Sequence, residues 1–245
     1  YHGLDFLRDV NLGRAVTLGN KIVVIGGGST AFDAARTAVR LGAEQVTILY
    51  RRQIEDMPAD AREIDEAVEE GIEILELLSP QACIGENGRV TGVQCIRMAL
   101  RGFDGAGRRK PQAVAGSEVV IEADMVIPAV SQHSDLPFID KDEAQITSWG
   151  TLVIDPETAM TTIRGIFAGG DVVRGPDVAI QAIADGKKAA RGIDRFLGGS
   201  GNLNTGEPIE IPAPPDEKEV VEHERFAMRF RDPETRRGNF AEVVV

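Results

Sequence analysis

Two glycine-rich segments carry the residue types best suited to chemistry in this chain. In the first, Gly26-Gly27-Gly28-Ser29-Thr30-Ala31 follows the apolar run Ile22-Val23-Val24-Ile25. With the spacing Gly26-x-Gly28-x-x-Ala31, Gly26 permits a tight strand-to-helix turn and Gly28 lets the backbone approach a pyrophosphate. Ala31 keeps helix and strand close. The free N–H groups at such a helix start then hold the phosphates. In the second segment, Ala168-Gly169-Gly170-Asp171 follows Ile166-Phe167. Asp171 is placed to accept from a ribityl hydroxyl or a phosphate-side water, and Gly170 allows close approach. Backbone N–H groups near Asp177, Val178 and Ala179 point at the pyrimidine edge of a flavin, where a helix terminus stabilises negative charge. The plainer alternatives are a structural βα turn at the first segment and an Asx turn at the second.

The choice of dinucleotide rests on the end of the next strand. An NAD site usually places an acid there, to accept from the ribose 2′-hydroxyl. Here the residues are Tyr50-Arg51-Arg52. Guanidinium groups pair instead with a 2′-phosphate, so Arg51 and Arg52 favour NADP over NAD. The basic loop Arg108-Arg109-Lys110 either reaches a phosphate or is a mobile hairpin end. Asp33 either accepts from the nicotinamide carboxamide or faces solvent, and the residues leave both open.

These groups need a scaffold, and the hydrophobic pattern supplies one. A short helix over Asp5–Val10 precedes a strand over Lys21–Ile25 that reads as buried on both faces. A helix over Thr30–Leu41 puts Ala31, Ala34, Ala35 and Ala38 inward. Next come a strand over Gln45–Tyr50, a helix over Asp60–Glu70 and a strand over Ile72–Leu78. That helix is expected to bury Ala61, Ile64 and Val68 and to leave its acids in solvent. The β-α-β-α-β order implies a parallel sheet with right-handed crossovers. An antiparallel meander then covers Ala82–Ile84, Arg89–Ala99 and Glu118–Glu122, with a hairpin turn at Asn87-Gly88 and a flexible loop over Gly102–Lys110. Asp124–Val130 returns to the parallel sheet. Short strands at Leu152–Ile154 and Ile166–Ala168 lead to a helix over Pro176–Leu197, whose stripe is Ala179, Ile183, Gly186, Ala190, Ile193 and Leu197.

The expected architecture is therefore α/β. A three-layer Rossmann-like NAD(P)-binding domain, with a central parallel sheet and an antiparallel β-meander, is joined to the C-terminal portion of an FAD-binding domain. The divisions are a linker helix at 1–15, the NADP-binding domain at 16–130, the FAD-domain part at 131–199 and an extended tail at 200–245.

Composition excludes several other classes. The 245 residues carry a net charge of -12, which argues against nucleic acid as a partner. No apolar run approaches a membrane span. Cys83 and Cys95 form no C-x-x-C pair and read as two buried reduced thiols of a cytoplasmic protein. His2, His133 and His223 are too scattered for a metal site.

As a set, Val24-Ile25-Gly26-Gly27-Gly28-Ser29-Thr30-Ala31-Phe32-Asp33, Tyr50-Arg51-Arg52, Met57-Pro58-Ala59 and Gly165-Ile166-Phe167-Ala168-Gly169-Gly170-Asp171 resemble the small (beta) subunit of NADPH-dependent glutamate synthase. The wider class is that of two-dinucleotide-binding-domain flavoproteins, which are pyridine nucleotide-disulfide oxidoreductase-like. The resemblance runs from about Gly3 to Leu197. It implies NADPH and FAD as cofactors and hydride transfer from NADPH to FAD. Electrons would pass onward to iron–sulfur centres and a partner oxidoreductase or glutamate synthase large subunit. It also implies that the flavin-pyrophosphate glycine motif and an iron–sulfur segment lie upstream of Tyr1, so that this C-terminal fragment is inactive by itself. Val130-Ser131-Gln132 departs from the family, which often has a glycine there. A non-catalytic dinucleotide-binding or docking module is the competing expectation. An NAD-dependent dehydrogenase with a conventional second domain lacks a catalytic His or Tyr.

Overall fold

The computed structural model describes residues 1–105, 107–130, 134–140, 143–203 and 228–244. Ser131, Gln132, His133 and His223 lie outside the described residues, as does most of the expected tail. The chain divides into two units: one holds residues 1–130 and the C-terminal stretch, the other residues 131–223.

The first unit is built on a parallel sheet whose strands run β3-β2-β1-β7. These are β1 (Lys21–Ile25), β2 (Gln45–Leu49), β3 (Glu73–Leu75) and β7 (Met125–Pro128). Side chains alternate across a strand, and β1 shows what both faces bury. Ile22 and Val24 pack with Phe6, Phe32, Ile48 and Ile127 on one side. Val23 packs with Leu49, Leu78, Val93 and Cys95 on the other. The first side is covered by α1 (Gly3–Asn11), α2 (Ser29–Arg40) and α3 (Ala61–Glu69). The second is covered by an antiparallel sheet of β4 (Leu78–Glu86), β5 (Arg89–Phe103) and β6 (Arg109–Glu122). The three layers are helices, parallel sheet and meander, as the sequence predicts.

Ala31, Ala34, Ala35 and Ala38 are fully buried, and their small size lets α2 lie close on the sheet. Asn87 and Gly88 both take positive φ, 52° and 76°, as a two-residue hairpin turn requires. β5 and β6 run further than expected. Of the expected flexible loop Gly102–Lys110, Gly102 and Phe103 belong to β5 and Arg109 and Lys110 to β6, leaving a short tip. It is closed by Asp104 N–H to Arg108 O at 2.7 Å and Gly107 N–H to Asp104 O at 3.0 Å.

Helix α3 departs from its expected facing. Ile64 and Ala67 are buried, whereas Val68 is 53% exposed and Ala61 is exposed. The acids are not simply solvated. Glu70, just past α3, is fully buried and accepts from Arg36 at 2.6 Å and from Arg40 at 2.8 and 3.0 Å. Burial works against its charge, but these two guanidinium groups outweigh it and hold its pKa below the ordinary value. On α3 itself Glu66 pairs with Arg36 at 2.9 Å, so an acid lies with Ile64 and Ala67 on the covered side where Val68 was expected.

The stretch read as an extended tail contains a helix, α6 (Pro233–Arg237), capped by Asp232 accepting from Thr235 N–H at 2.9 Å. Its Arg236 is buried, pairs with Glu69, and stands 3.9 Å from Glu66 and 3.8 Å from Glu70. The Arg62 guanidinium lies 5.7 Å from the centre of the Phe230 ring. The C-terminal stretch is thus part of the first unit.

In the second unit, the expected strands reduce to the single bridges Ile146–Leu152, Ile154–Thr161 and Met160–Phe167. A small core gathers Leu136, Ile139, Ala144 and Leu152. Two helices follow, α4 (Asp171–Arg174) and α5 (Ala179–Phe196), where one helix from Pro176 was expected. The expected α5 stripe is not buried: Ile183 is 54% and Leu197 77% exposed. Asp185 and Gly192 are the buried positions. A Cβ on Gly192 would stand 2.0 Å from Thr158 O, so glycine there permits close approach of a loop. Among the described residues, no helix is long and apolar enough to cross a membrane.

Candidate functional site

The glycine turn sits where β1 passes into α2. Gly26 takes φ +147°, and a Cβ there would lie 2.5 Å from Ala129 O. Its N–H bonds Leu49 O at 3.1 Å. A Cβ on Gly27 would meet the Tyr50 ring at 2.6 Å. Gly27 O accepts from Ala59 N–H at 3.2 Å, and Tyr50 Oη donates to Asp56 O at 2.8 Å. Met57-Pro58-Ala59 therefore holds the turn down from above, which gives this triplet a structural reason.

Gly28 differs from its two predecessors. It is the N-cap of α2 with φ -95° and no side-chain cap. The nearest atom to a Cβ there would be Pro58 Cγ at 3.8 Å, so glycine is not demanded by the protein's own packing. Gly28 O accepts from Ala31 N–H at 2.8 Å. Among the described residues, no protein group accepts from the Ser29 or Thr30 N–H. The result is an uncapped helix start with free donors and an open approach at Gly28, the arrangement that takes phosphate.

Asp33 is exposed on α2. Desolvation and the like charge of Glu63 raise its pKa, and Arg36 opposes them. Glu63 was not singled out in the sequence. Its Oε2 is buried without a hydrogen-bond partner, and it brings a second carboxyl to Asp33 from the first turn of α3. Nothing in the local pattern marks it apart from its acidic neighbours.

The two arginines after β2 part company. Arg51 is exposed and has no carboxylate partner among the described residues. Arg52 is 6% exposed and committed to protein groups. Its Nε donates to Arg109 O at 2.9 Å and its Nη2 to Asp104 Oδ2 at 3.1 Å.

In the second unit, Gly170 takes φ 71° at the head of α4. Its N–H donates to Asp185 Oδ2 at 3.0 Å, and Arg174 holds the same carboxylate at 2.7 and 2.9 Å. Arg174 foremost, with the Gly170 N–H, holds the Asp185 pKa well below the ordinary carboxylate value. Asp171 is exposed and borders a cavity of about 630 Å³ with Ser134, Asp135, Thr147, Trp149 and Arg174. Thr147, Trp149 and Ser134 were not foreseen, since loop residues far apart in sequence carry no shared period. Val178 caps α5, with its N–H on Asp177 Oδ1 at 2.7 Å, and Ala179 opens the helix without a side-chain cap. Gly170, Asp171, Val178 and Ala179 thus belong to one unit, and Gly26 to Ala31, Asp33, Arg51 and Arg52 to the other.

Cys83 is exposed rather than buried, because that part of β4 lies toward solvent. Cys95 is buried, and burial pushes its thiol up to about 11. Among the described residues, no cluster of His, Cys, Asp or Glu is placed to hold a metal ion.

A parallel sheet with a glycine turn at an uncapped helix start defines a dinucleotide-binding α/β protein. The pyridine nucleotide-disulphide oxidoreductase model matches residues 1–186, and the chain belongs to that family. It is 43% identical over 196 residues to the NADP(+)-dependent formate dehydrogenase subunit beta of Moorella thermoacetica, covering 80% of this chain and 28% of that protein. It is 44% identical over 180 residues to the glutamate synthase [NADPH] small chain of Azospirillum brasilense, covering 73% and 37%. The chain thus spans about a third of the length of these curated relatives. The fold is shared with thioredoxin reductase of T. acidophilum, at TM-score 0.57 and 23% identity over 78% of this chain and 56% of that one. Mycobacterium tuberculosis FprA in complex with NADPH shares it at TM-score 0.56 and 19% identity, over 74% and 53%.

Proposed function

We propose that this chain is the NADPH-binding portion of a flavin-dependent oxidoreductase, with electrons passing onward to iron–sulfur centres or a partner subunit. The observation that carries the reading is the open approach at Gly28 above unpaired N–H groups at the start of α2. The similarity to NADPH- and NADP(+)-named relatives supports it. Subunit names among those relatives support a partner subunit.

The residues fit a nicotinamide dinucleotide. Ser29 and Thr30 at the head of α2 would receive the pyrophosphate on their free N–H groups, and Gly28 would leave room for it, whereas the Ala31 N–H is already taken by Gly28 O. Arg51 would meet the 2′-phosphate. Asp33 would accept from the carboxamide, with Glu63 raising its proton affinity. For FAD the fit is partial: Asp171 would accept from a ribityl hydroxyl, Gly170 would permit close approach, and the Ala179 N–H would face the pyrimidine edge, whereas the Val178 N–H is occupied by Asp177 Oδ1 at 2.7 Å. When bound, the two cofactors supply hydride transfer, and no side-chain acid or base is required for that step. The chain's own contribution is to bind and orient.

The test is calorimetric titration of the chain with NADPH and with NADH. Preference for NADPH that Arg51→Glu removes is the expected result. Equal binding of both nucleotides, or an unchanged preference in the variant, would refute the assignment of Arg51.

A further inference from the structure

Arg109 is an exposed cation whose backbone carbonyl is held by a buried arginine. Asp104, at the tip of the β5–β6 hairpin, accepts from Arg52 at 3.1 Å and pairs with Arg108 at 3.3 Å. Arg52 is almost wholly buried and holds both ends of the tip, the Asp104 carboxylate and the Arg109 carbonyl. The Arg109 Nη2 donates to Gln53 Oε1, on the segment that follows β2. The hairpin end is therefore fastened to the residues next to Arg51. The Asp104 charge is met by two guanidinium groups, whereas Arg109 has no carboxylate partner among the described residues. In a chain of net charge -12, a cation fastened to the residues that follow Arg51 is a placed feature of the surface.

We propose that the clasp between Arg52 and Asp104 seats the hairpin tip against the end of β2 and presents the Arg109 guanidinium, together with Arg51, to the 2′-phosphate of the nucleotide. This rests on the NADPH reading above and adds to it. Arg52 is a positioning residue that acts through Arg109, and the hairpin is a specificity element. Two guanidinium groups converging on one phosphate discriminate better than a single exposed one, whose pairing is weakened by water and salt.

The experiment is calorimetric titration of the full chain with 2′,5′-ADP and with 5′-AMP, which differ only in the 2′-phosphate. The wild type is expected to prefer 2′,5′-ADP. Arg109→Gln should weaken 2′,5′-ADP roughly tenfold while 5′-AMP stays within about twofold, the loss of one charge-assisted contact. Asp104→Asn should lower the same ratio, and Asp104→Glu should restore part of it. A merely structural role for the clasp would weaken both ligands together. If the wild type shows no preference, the NADPH reading fails and the proposal with it. If the wild type discriminates and Arg51→Gln abolishes the preference while Arg109→Gln leaves it intact, the proposal alone is overturned. Arg109 is exposed, so its substitution does not put folding at risk.

Discussion

Gly26 and Gly28 occupy the same turn for different physical reasons, and alanine at each separates packing from binding. At Gly26 a side chain meets φ +147° and the Ala129 carbonyl at 2.5 Å. Backbone strain of about 1–3 kcal/mol and overpacking of about 1–3 kcal/mol give a loss of about 2–6 kcal/mol. For a domain of this size each kcal/mol is worth about 2–4 °C, so Gly26→Ala should lower the melting temperature by about 4–24 °C. At Gly28 the backbone is ordinary and the nearest atom to a Cβ is 3.8 Å away. Gly28→Ala costs only the difference between two N-cap residues, about 1 kcal/mol or less, and about 2–4 °C at most. Its methyl group, however, projects into the approach to the Ser29 and Thr30 N–H groups. Loss of one charge-assisted hydrogen bond, about 1.5–3 kcal/mol, corresponds to roughly 10- to 150-fold weaker NADPH. Calorimetric unfolding and nucleotide titration on both variants make the comparison. A Gly28→Ala protein that melts near wild type and binds NADPH at wild-type strength would refute the assignment of the α2 start as the pyrophosphate site.

Three further outcomes are expected. Glu70→Gln leaves Arg36 and Arg40 with an incompletely met buried charge and should cost about 3–5 kcal/mol in urea unfolding at neutral pH. Because the folded Glu70 pKa lies below its ordinary 4.5, its contribution is fully present above that pH and is lost as pH falls through the lower folded value. The difference between wild type and variant should therefore shrink in acid, and a constant difference would count against the pairing. Asp185→Asn should speed hydrogen exchange at the Gly170 amide, which donates to that carboxylate; unchanged protection would show that the bond does not hold the turn. A thiol reagent should titrate Cys83 at once and Cys95 only after unfolding, since one is exposed and the other buried with a raised pKa. Two fast thiols would contradict that burial.

Local periodicity carried most of the first unit. β1 could be read because Ile22, Val23 and Val24 face cores on both sides, and α2 because its four alanines share one stripe. The glycine turn could be read because its strand-and-helix context is local. What failed was set by partners distant in sequence. The choice of Ala67 over Val68 on α3 follows from acids drawn toward Arg36 and Arg40, thirty or more residues away. Arg51 and Arg52 are chemically identical in the sequence, and only the hairpin tip, over fifty residues on, distinguishes them. The stripe on α5 has the right period, yet period alone does not say which neighbour covers it.

The position of Arg236 also bears on the order of events during synthesis. It lies 167 residues downstream of its partner Glu69, with the whole second unit encoded between them. At about 5–20 residues per second on the ribosome, Glu69 waits roughly 8–33 s for that guanidinium after it is synthesised. Through that interval Arg36 and Arg40 meet Glu66 and Glu70, while Glu69 still lacks the Arg236 guanidinium. The residues of the second unit, encoded between the two partners, thus set how late that pair can form.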